Sequence, residues 1–264
     1  MKFQAARRAS QGARSYQEDA CAYWPGDHDW LWPGPEPGGS VALVAVLADG
    51  MGGHAGGSLA SRIVCENFFA GYGSSIGPTR ERLRAGLIAG NRAVALTVER
   101  QPHLAGMGST LIGAVFGADG LEWVSVGDSP LYLYRRGEIA LLNEDHSLAP
   151  ALDQAAAAGR ITPEAARADP RRHMLRSAVT GDDLELVDLS VKPLALEPGD
   201  YIVLASDGIH TLEDSEIARV IAAYGADGPD AIAAALIRAA DNVRDPQQDN
   251  TTVLVVRLLV APLD

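Results

Sequence analysis

A chain of 264 residues with 47% apolar and 21% charged side chains has the composition of a globular protein, and one domain of this length is ordinary. Its formal net charge of −12 argues against a nucleic-acid backbone or an anionic membrane surface as the main partner, because both would be repelled. No apolar run reaches the length of a membrane span or follows the basic N-terminus as in a secretory signal, so we expect a single cytoplasmic domain over residues 1–264.

Short runs rich in Val, Leu and Ile, each bounded by Gly, Asp or Pro, predict strands along most of the chain. Helical periodicity predicts helices over residues 56–70, 78–99, 213–224 and 229–240. Very short turns join the runs between residues 109 and 142, which makes this part of the sheet antiparallel, and the helices come in pairs. We therefore predict an α+β layered domain. The predicted strands cover residues 41–48, 109–117, 121–127, 131–134, 201–206 and 251–260.

The first acidic signal is the stretch from Arg14 to Asp19, near the end of the first predicted strand. In an extended segment, residues 14, 16 and 18 project to the same side. Arg14 and Glu18 would then face one site, with a guanidinium suited to a phosphate beside a carboxylate suited to a metal ion. The alternative is an ordinary surface ion pair.

The segment from residue 21 to residue 40 interrupts the regular pattern, since it holds three of the four tryptophans and many turn-forming residues. A surface hairpin or loop packed on its own aromatic side chains is the simplest interpretation. A loop that docks a partner is the alternative.

The strand predicted over residues 41–48 ends in Asp49 and a glycine-rich loop that extends to residue 57. Such a loop either cradles a phosphate with backbone N–H groups or lets an aspartate and a bare carbonyl meet a metal ion. No Lys-Ser/Thr pair follows it, and no Gly-x-Gly-x-x-Gly fingerprint with a ribose-binding acid is present, which disfavours a nucleotide-binding protein.

Aspartates stand at the edges of four predicted strands, where a rigid backbone gives each side chain a fixed direction. One Asp beside Gly is a common turn signal, but four such positions predict a cluster. Converging carboxylates repel one another unless a cation lies between them, and oxygen ligands indicate Mg²⁺ or Mn²⁺ rather than Zn²⁺. The four residues are Asp49, Asp128, Asp207 and Asp249.

The cysteines exclude one class of enzyme. Cys21 and Cys65 stand in unlike contexts, which indicates neither a disulfide framework nor a zinc site and fits a reducing compartment. Neither begins a Cys-x5-Arg phosphate loop, so a phosphatase with a cysteine nucleophile is excluded.

Six short motifs occur in the order found in the metal-dependent serine/threonine protein phosphatases of the 2C type, and the chain resembles the bacterial branch of that family. The resemblance implies a four-layer α+β sandwich in which two central antiparallel β-sheets are flanked by helix pairs. The motifs are Arg14 with Glu18-Asp19, Asp49-Gly50, Gly108-Ser109-Thr110, Gly127-Asp128-Ser129, Ser206-Asp207-Gly208 and Asp249-Asn250.

The resemblance also implies the activity. It implies hydrolysis of phosphoserine and phosphothreonine monoesters by a metal-activated water, without a phosphoenzyme, using two Mn²⁺ or Mg²⁺ ions. The partners it implies are phosphorylated proteins in signalling, such as a Ser/Thr kinase or its substrates. The implied roles are Asp49 as the ligand that bridges the ions, the Gly50 carbonyl and Glu18 as ligands of one ion, Asp207 and Asp249 as ligands of the other, Asp19 as a residue that orders water behind the ligands, and Arg14 as the phosphate contact.

Three departures from the family pattern keep a second function open. A third, weaker ion is implied at Asp128, but Thr211 stands where the family has a second acid, and a hydroxyl is a poorer ligand for a hard ion. Met51 replaces a histidine of the eukaryotic branch, and Pro130 replaces the usual arginine. The alternative function is a catalytically weak member that binds phosphoproteins as a regulatory module.

A segment over residues 146–180 corresponds to the variable flap of the family. It is rich in arginine, unlike the rest of this acidic chain. A solvated lid is one interpretation. The other is that basic residues attract an acidic phosphoprotein, namely Arg160, Arg167 and, as substrate-binding residues, Arg171 and Arg172.

Overall fold

Two five-stranded antiparallel sheets form the centre of the computed structural model, which describes residues 2–26, 41–53 and 55–259. The strands are β1 (Lys2–Ser10), β2 (Ala20–Trp24), β3 (Val41–Ala48), β4 (Gly50–Met51), β5 (Gly108–Ser109), β6 (Leu111–Gly117), β7 (Gly120–Val126), β8 (Leu131–Arg135), β9 (Glu138–Leu141), β10 (Asp188–Leu189), β11 (Tyr201–Ala205) and β12 (Thr251–Leu259). The first sheet has the order β1-β12-β11-β8-β9 and the second β10-β7-β6-β3-β2, while β4 and β5 form a small separate pair.

Helices cover the outer face of each sheet. The α-helices are α1 (Ala55–Ser74), α2 (Thr79–Arg100), α3 (Ala149–Ala157), α4 (Pro163–Ala168), α5 (Asp214–Tyr224) and α6 (Pro229–Val243), and short 3₁₀ helices occupy Pro102–Leu104, Asp207–Thr211 and Gly225–Asp227. The pair α1 and α2 packs on the second sheet, and the pair α5 and α6 packs on the first. The prediction of an α+β sandwich with flanking helix pairs is confirmed.

The position of strand β3 explains why apolar and polar residues do not alternate in its sequence. Successive side chains of a strand point to opposite faces. Leu43 and Leu47 lie in the core between the two sheets, whereas Val44 and Val46 lie in the core beneath α1 and α2. Because both faces are buried, an unbroken apolar run is the sequence that this position requires.

Two sequence predictions differ from the observed elements. The strand predicted over 109–117 is interrupted at Thr110, because β5 pairs with β4 while β6 pairs with β3 and β7. The segment from 11 to 19 is an irregular connection rather than the end of a strand.

Most of the tryptophan-rich segment, residues 27–40, lies outside the described residues. Within the ranges that the structure describes, no helix has both the length and the apolar character of a membrane span.

Candidate metal centre

Eight carboxylates line one cavity of about 720 Å³, which we call the acidic pocket: Asp182, Asp183 and Glu185, which follow the flap, and five that belong to the motifs in the sequence. Four of them stand at strand ends: Asp49 between β3 and β4, Asp128 after β7, Asp207 after β11, and Asp249 before β12. Glu18 comes from the irregular connection between β1 and β2. The structure therefore brings together the four strand-end acids that the sequence singled out.

The Gly108-Ser109-Thr110 motif fixes the backbone of Asp49. The Asp49 N–H donates to Thr110 Oγ1 at 2.9 Å, and the Thr110 N–H donates to the Asp49 carbonyl at 2.8 Å. The Ser109 hydroxyl donates to the same carbonyl at 2.8 Å. Because these bonds fall where β5 and β6 separate, the break at Thr110 is what lets its hydroxyl reach Asp49.

Gly50 lies where the chain has no room for a side chain. A Cβ on this residue would overlap the Gly57 carbonyl and would lie 2.6 Å from the Glu18 carbonyl oxygen. Glycine is therefore required by the close approach of three backbone segments. This packing places α1 beside the residues that line the acidic pocket.

Burial and mutual repulsion change the protonation of the acids. Burial, reinforced by the other carboxylates, raises the pKa of Asp49 well above its usual range. Burial first, and then the charge of Asp207, raises the pKa of Asp128 to about 7. The pKa of Asp207 is raised by burial and by the neighbouring Asp249. A bound cation would remove this repulsion, because opposite charge favours the ionised form.

The donor set fits a hard divalent cation. The five motif side chains all offer carboxylate oxygens, and Oδ1 of Asp207 is buried without a hydrogen-bond partner among the described residues. Such an oxygen is costly unless a proton or a cation satisfies it. No group of three or more His, Cys, Asp or Glu side chains in the described ranges is gathered tightly enough to hold a metal ion. The pocket thus assembles the donors without fixing a coordination geometry.

Asp19 lies behind the acidic pocket rather than in its lining. Its Oδ2 accepts a hydrogen bond from the Ser206 hydroxyl at 2.8 Å, and its Oδ1 is buried without a hydrogen-bond partner among the residues described. Burial raises its pKa to about 6, although hydrogen bonds from Thr252 and Ser206 oppose this. Asp19 is therefore held against the residue that precedes Asp207, outside the lining of the acidic pocket.

Arg14 lines the acidic pocket and forms an ion pair with Asp249. Its Nη2 lies 2.5 Å from Asp249 Oδ2, and both side chains are partly exposed. The prediction that Arg14 and Glu18 project from one extended segment is wrong, because the segment between β1 and β2 is irregular. Both residues nevertheless line the same cavity.

The flap arginines singled out from the sequence do not line the acidic pocket. Arg171 pairs with Asp169 at 2.9 Å, and Arg172 pairs with Asp153 through two contacts of 2.8 Å. Arg176, which sequence reasoning missed, does line it, as does the neighbouring His173. Arg176 differs from the other flap arginines only in a contact with a segment that is distant in the sequence. Amino-acid composition carries no information about such a contact, so it could not identify Arg176.

The departures from the family pattern have local explanations. The Thr211 hydroxyl donates to Gln248 Oε1 at 2.6 Å and does not line the acidic pocket. Met51 lines the pocket. The Pro130 carbonyl accepts a hydrogen bond from the Ala205 N–H at 3.1 Å, within the first sheet. None of these three residues displaces a carboxylate from the pocket.

Comparison with known proteins identifies the family that the chain resembles. The profile of the protein phosphatase 2C family matches residues 12–236. The serine/threonine protein phosphatase PstP of Mycobacterium tuberculosis is 38% identical over 169 residues, which cover 64% of this chain and 32% of that protein. The serine/threonine phosphatase stp of Listeria monocytogenes is 31% identical over 171 residues, covering 63% of this chain and 66% of that protein. The chain thus spans about a third of the length of PstP, the first of these relatives.

Solved structures extend the similarity over nearly the whole chain. The crystal structure of Mycobacterium tuberculosis PstP has a TM-score of 0.78 and 31% identity, covering 98% of this chain and 100% of that one. The catalytic domain of PstP in complex with two manganese ions has a TM-score of 0.75 and 30% identity, covering 98% and 99%.

Proposed function

Because the chain belongs to the protein phosphatase 2C family, we propose that it is a metal-dependent serine/threonine protein phosphatase. The observation that carries this proposal is the convergence of the five motif carboxylates and Arg14 on one cavity. A serine/threonine phosphatase with the same fold, PstP, binds two manganese ions in its catalytic domain. The substrates we propose are phosphoserine and phosphothreonine monoesters in proteins.

We assign the residues of the acidic pocket to two Mn²⁺ or Mg²⁺ ions. Glu18 and the Gly50 carbonyl would hold one ion, Asp207 and Asp249 would hold the other, and Asp49 would bridge them. Asp128 would hold a third, weaker ion. When bound, such ions supply an activated water at neutral pH and stabilise the attacking and leaving oxygens of an in-line displacement at phosphorus.

The protein's own groups would bind and orient the phosphate. Arg14 offers a planar fork of donors that fits two phosphate oxygens, and its pairing with Asp249 directs it into the pocket. Asp19, fixed by Ser206, would orient water from behind the ligands. Since no step leaves phosphate on a side chain, the mechanism needs no nucleophilic residue.

The flap would recognise the rest of the protein substrate. Arg176 lines the acidic pocket and lies close enough to contact a phosphorylated segment. Arg171 and Arg172 lie outside the pocket lining, so their proposed role is attraction of an acidic phosphoprotein at a distance from the phosphate. Each is already paired with an aspartate, which reduces the net positive charge that the flap offers.

Three broader assignments complete the proposal. Residues 1–264 would form one phosphatase domain with the flap over 146–180. A Ser/Thr kinase or its substrates would be the partners, and the location would be cytoplasmic. In support of a reducing compartment, Cys21 and Cys65 are buried thiols with no disulfide. No observation favours the alternative of a catalytically weak binding module.

Release of phosphate from a phosphothreonine peptide tests the function. We expect turnover with Mn²⁺, none with EDTA, and loss of at least a hundredfold in kcat for Asp207→Asn, because one carboxylate ligand is replaced by a weaker amide. Asp227→Asn, in a 3₁₀ helix away from the acidic pocket, is the matched control. A wild-type protein that binds Mn²⁺ yet shows no turnover would instead favour the binding module.

A further inference from the structure

His146 holds one side of the turn that carries Asp128. Its side-chain Nδ1 accepts a hydrogen bond from the Gly127 N–H at 3.2 Å, and the backbone N–H of His146 donates to the Gly127 carbonyl at 3.1 Å. Gly127 has a left-handed backbone with φ of 105°, and a Cβ there would lie 2.6 Å from the Thr110 side chain. The residue before Asp128 is thus fixed at both of its backbone polar groups.

Asn143 holds the other side of the same turn. Its Nδ2 donates to the Ser129 carbonyl at 2.9 Å, and its Oδ1 accepts from the Leu131 N–H at 2.8 Å. Asn143 and His146 belong to one segment, residues 143–148 between β9 and α3, which we call the clasp. The clasp therefore forms hydrogen bonds with the chain on both sides of Asp128.

The clasp, which includes the first residues of the flap, also binds residues 174–176 near the other end of the flap. The Arg176 N–H donates to the His146 carbonyl at 2.8 Å, and the Leu148 N–H donates to the Met174 carbonyl at 3.0 Å. An isolated β-bridge joins the residues between these two contacts. Since Met174 and Arg176 line the acidic pocket, one short segment connects Asp128 to the part of the flap that faces the carboxylates.

The surroundings of His146 favour a neutral imidazole that keeps a fixed hydrogen bond over a charged one. The side chain is only 2% exposed, and burial lowers its pKa. Because Nδ1 accepts a hydrogen bond, the neutral ring carries its proton on Nε2. That nitrogen is buried without a partner among the described residues.

We propose that His146 is a positioning residue that couples residues 174–176 of the flap to the cation ligand at Asp128, by fixing the Gly127–Asp128 turn through Nδ1 and the backbone of Arg176 through its carbonyl. The inference rests on the proposed function, which places a weaker divalent ion at Asp128. A cation that orders Asp128 would then order residues 174–176. A substrate that orders the flap would raise the affinity for the cation by the same factor as the cation raises the affinity for the substrate.

Direct Mn²⁺ binding tests the first half of the coupling, with the free ion measured by electron paramagnetic resonance. We expect the wild type to show a tighter and a weaker class of ions, and Asp128→Asn to remove the weaker class. His146→Leu should weaken that class at least tenfold and leave the tighter class unchanged. His146→Asn should retain it, because Asn Oδ1 can accept from the Gly127 N–H in place of Nδ1.

Amide hydrogen exchange tests the second half. We expect saturating Mn²⁺ to slow exchange at Leu148 and Arg176 in the wild type and in His146→Asn, but not in His146→Leu. Ile221→Val, a small change in the apolar cluster of α5 and α6, controls for a general loss of stability. A merely structural histidine would lower stability without separating the two classes of ions.

The outcomes are distinct. If His146→Leu binds the weaker Mn²⁺ as the wild type does, or if Mn²⁺ slows the same amides in both, the inference is wrong. Should His146→Leu fail to fold, His146→Gln replaces it, since its amide lies one methylene too far out to match Nδ1 and should behave as Leu does. A wild type that binds no Mn²⁺ would contradict the proposed function itself.

Discussion

The side-chain oxygen of Asn250 accepts a hydrogen bond from the backbone N–H of Glu18 at 2.8 Å, although 232 positions separate the two residues. The amide nitrogen of Asn250 donates to the carbonyls of Gln11 and Tyr16 at 2.9 and 3.0 Å. One buried side chain thus organises the irregular segment that carries Arg14 and Glu18.

Replacing Asn250 with Ala should weaken both stability and metal binding. Three hydrogen bonds are lost and backbone groups are left unsatisfied, so we expect the free energy of unfolding to fall by roughly 1–3 kcal/mol. The Mn²⁺ concentration for half-maximal activity should rise, because Glu18 loses its backbone anchor. Urea unfolding and Mn²⁺ titration measure the two effects. Asn242→Ala, on the exposed side of α6, should change neither, and an unshifted Mn²⁺ dependence in Asn250→Ala would contradict the argument.

Replacing Arg14 with Ala should lower kcat/KM for a phosphopeptide by roughly 10- to 100-fold, the loss of a charge-assisted contact worth about 1.5–3 kcal/mol. Arg14→Lys should recover only part of this, because an ammonium group cannot bind two oxygens in one plane. Steady-state kinetics check both values. Arg8→Ala is the control, since Arg8 is similarly exposed and forms an ion pair with Asp230. Equal kinetics for Arg14→Ala and Arg8→Ala would exclude phosphate binding by Arg14.

The metal-free protein should lose stability as pH rises from about 4 to 7. The pKa values of Asp19 and Asp128 are raised to about 6 and about 7, so the folded state binds more protons than the unfolded state in this window. Their stabilising contribution is present at low pH and is lost as pH passes the folded-state pKa values. Thermal unfolding in EDTA should therefore give a Tm that falls toward neutral pH.

Added Mn²⁺ should reverse this trend, because a cation stabilises the ionised carboxylates. The rise in Tm on adding Mn²⁺ should be larger at pH 7.5 than at pH 5. The double variant Asp19→Asn, Asp128→Asn should reduce the pH dependence in EDTA without abolishing it, because the pKa values of Asp49 and Asp207 are also raised. A wild-type Tm in EDTA that rises steadily between pH 5 and pH 7.5 would contradict the electrostatic account.

Reversing the charge of Arg171 and Arg172 together should lower kcat/KM for an acidic phosphoprotein at low salt. Activity toward a small aryl phosphate should stay the same, because neither residue lines the acidic pocket. The effect should disappear at high salt, since exposed charges are screened. Arg219→Glu on α5 is the control, as this arginine is also exposed and paired. An unchanged kcat/KM for the phosphoprotein at low salt would reject substrate attraction by the flap.

Much of the fold could be predicted because local patterns determine it. The doubly buried run of β3 predicts a central strand, and the acids at strand ends predict that Asp49, Asp128, Asp207 and Asp249 meet. These predictions succeed because a strand end fixes the direction of the residue that follows it.

The remaining features depend on contacts between distant segments. The path of residues 11–19 is set by Asn250, and the break at Thr110 is set by its hydrogen bonds to Asp49, so neither follows from periodicity. Which flap arginine faces the pocket depends likewise on the pairing of residues 174–176 with the clasp.

Anomalous X-ray diffraction from crystals soaked in Mn²⁺ tests the central claim most directly. The account predicts at least two strong anomalous peaks in the acidic pocket, both within ligand distance of Asp49, with Glu18 and the Gly50 carbonyl at one and Asp207 and Asp249 at the other. The peaks should be absent or much weaker in Asp49→Asn. No peak in this pocket, or peaks held by other residues while the wild type shows Mn²⁺-dependent turnover in solution, would contradict the account.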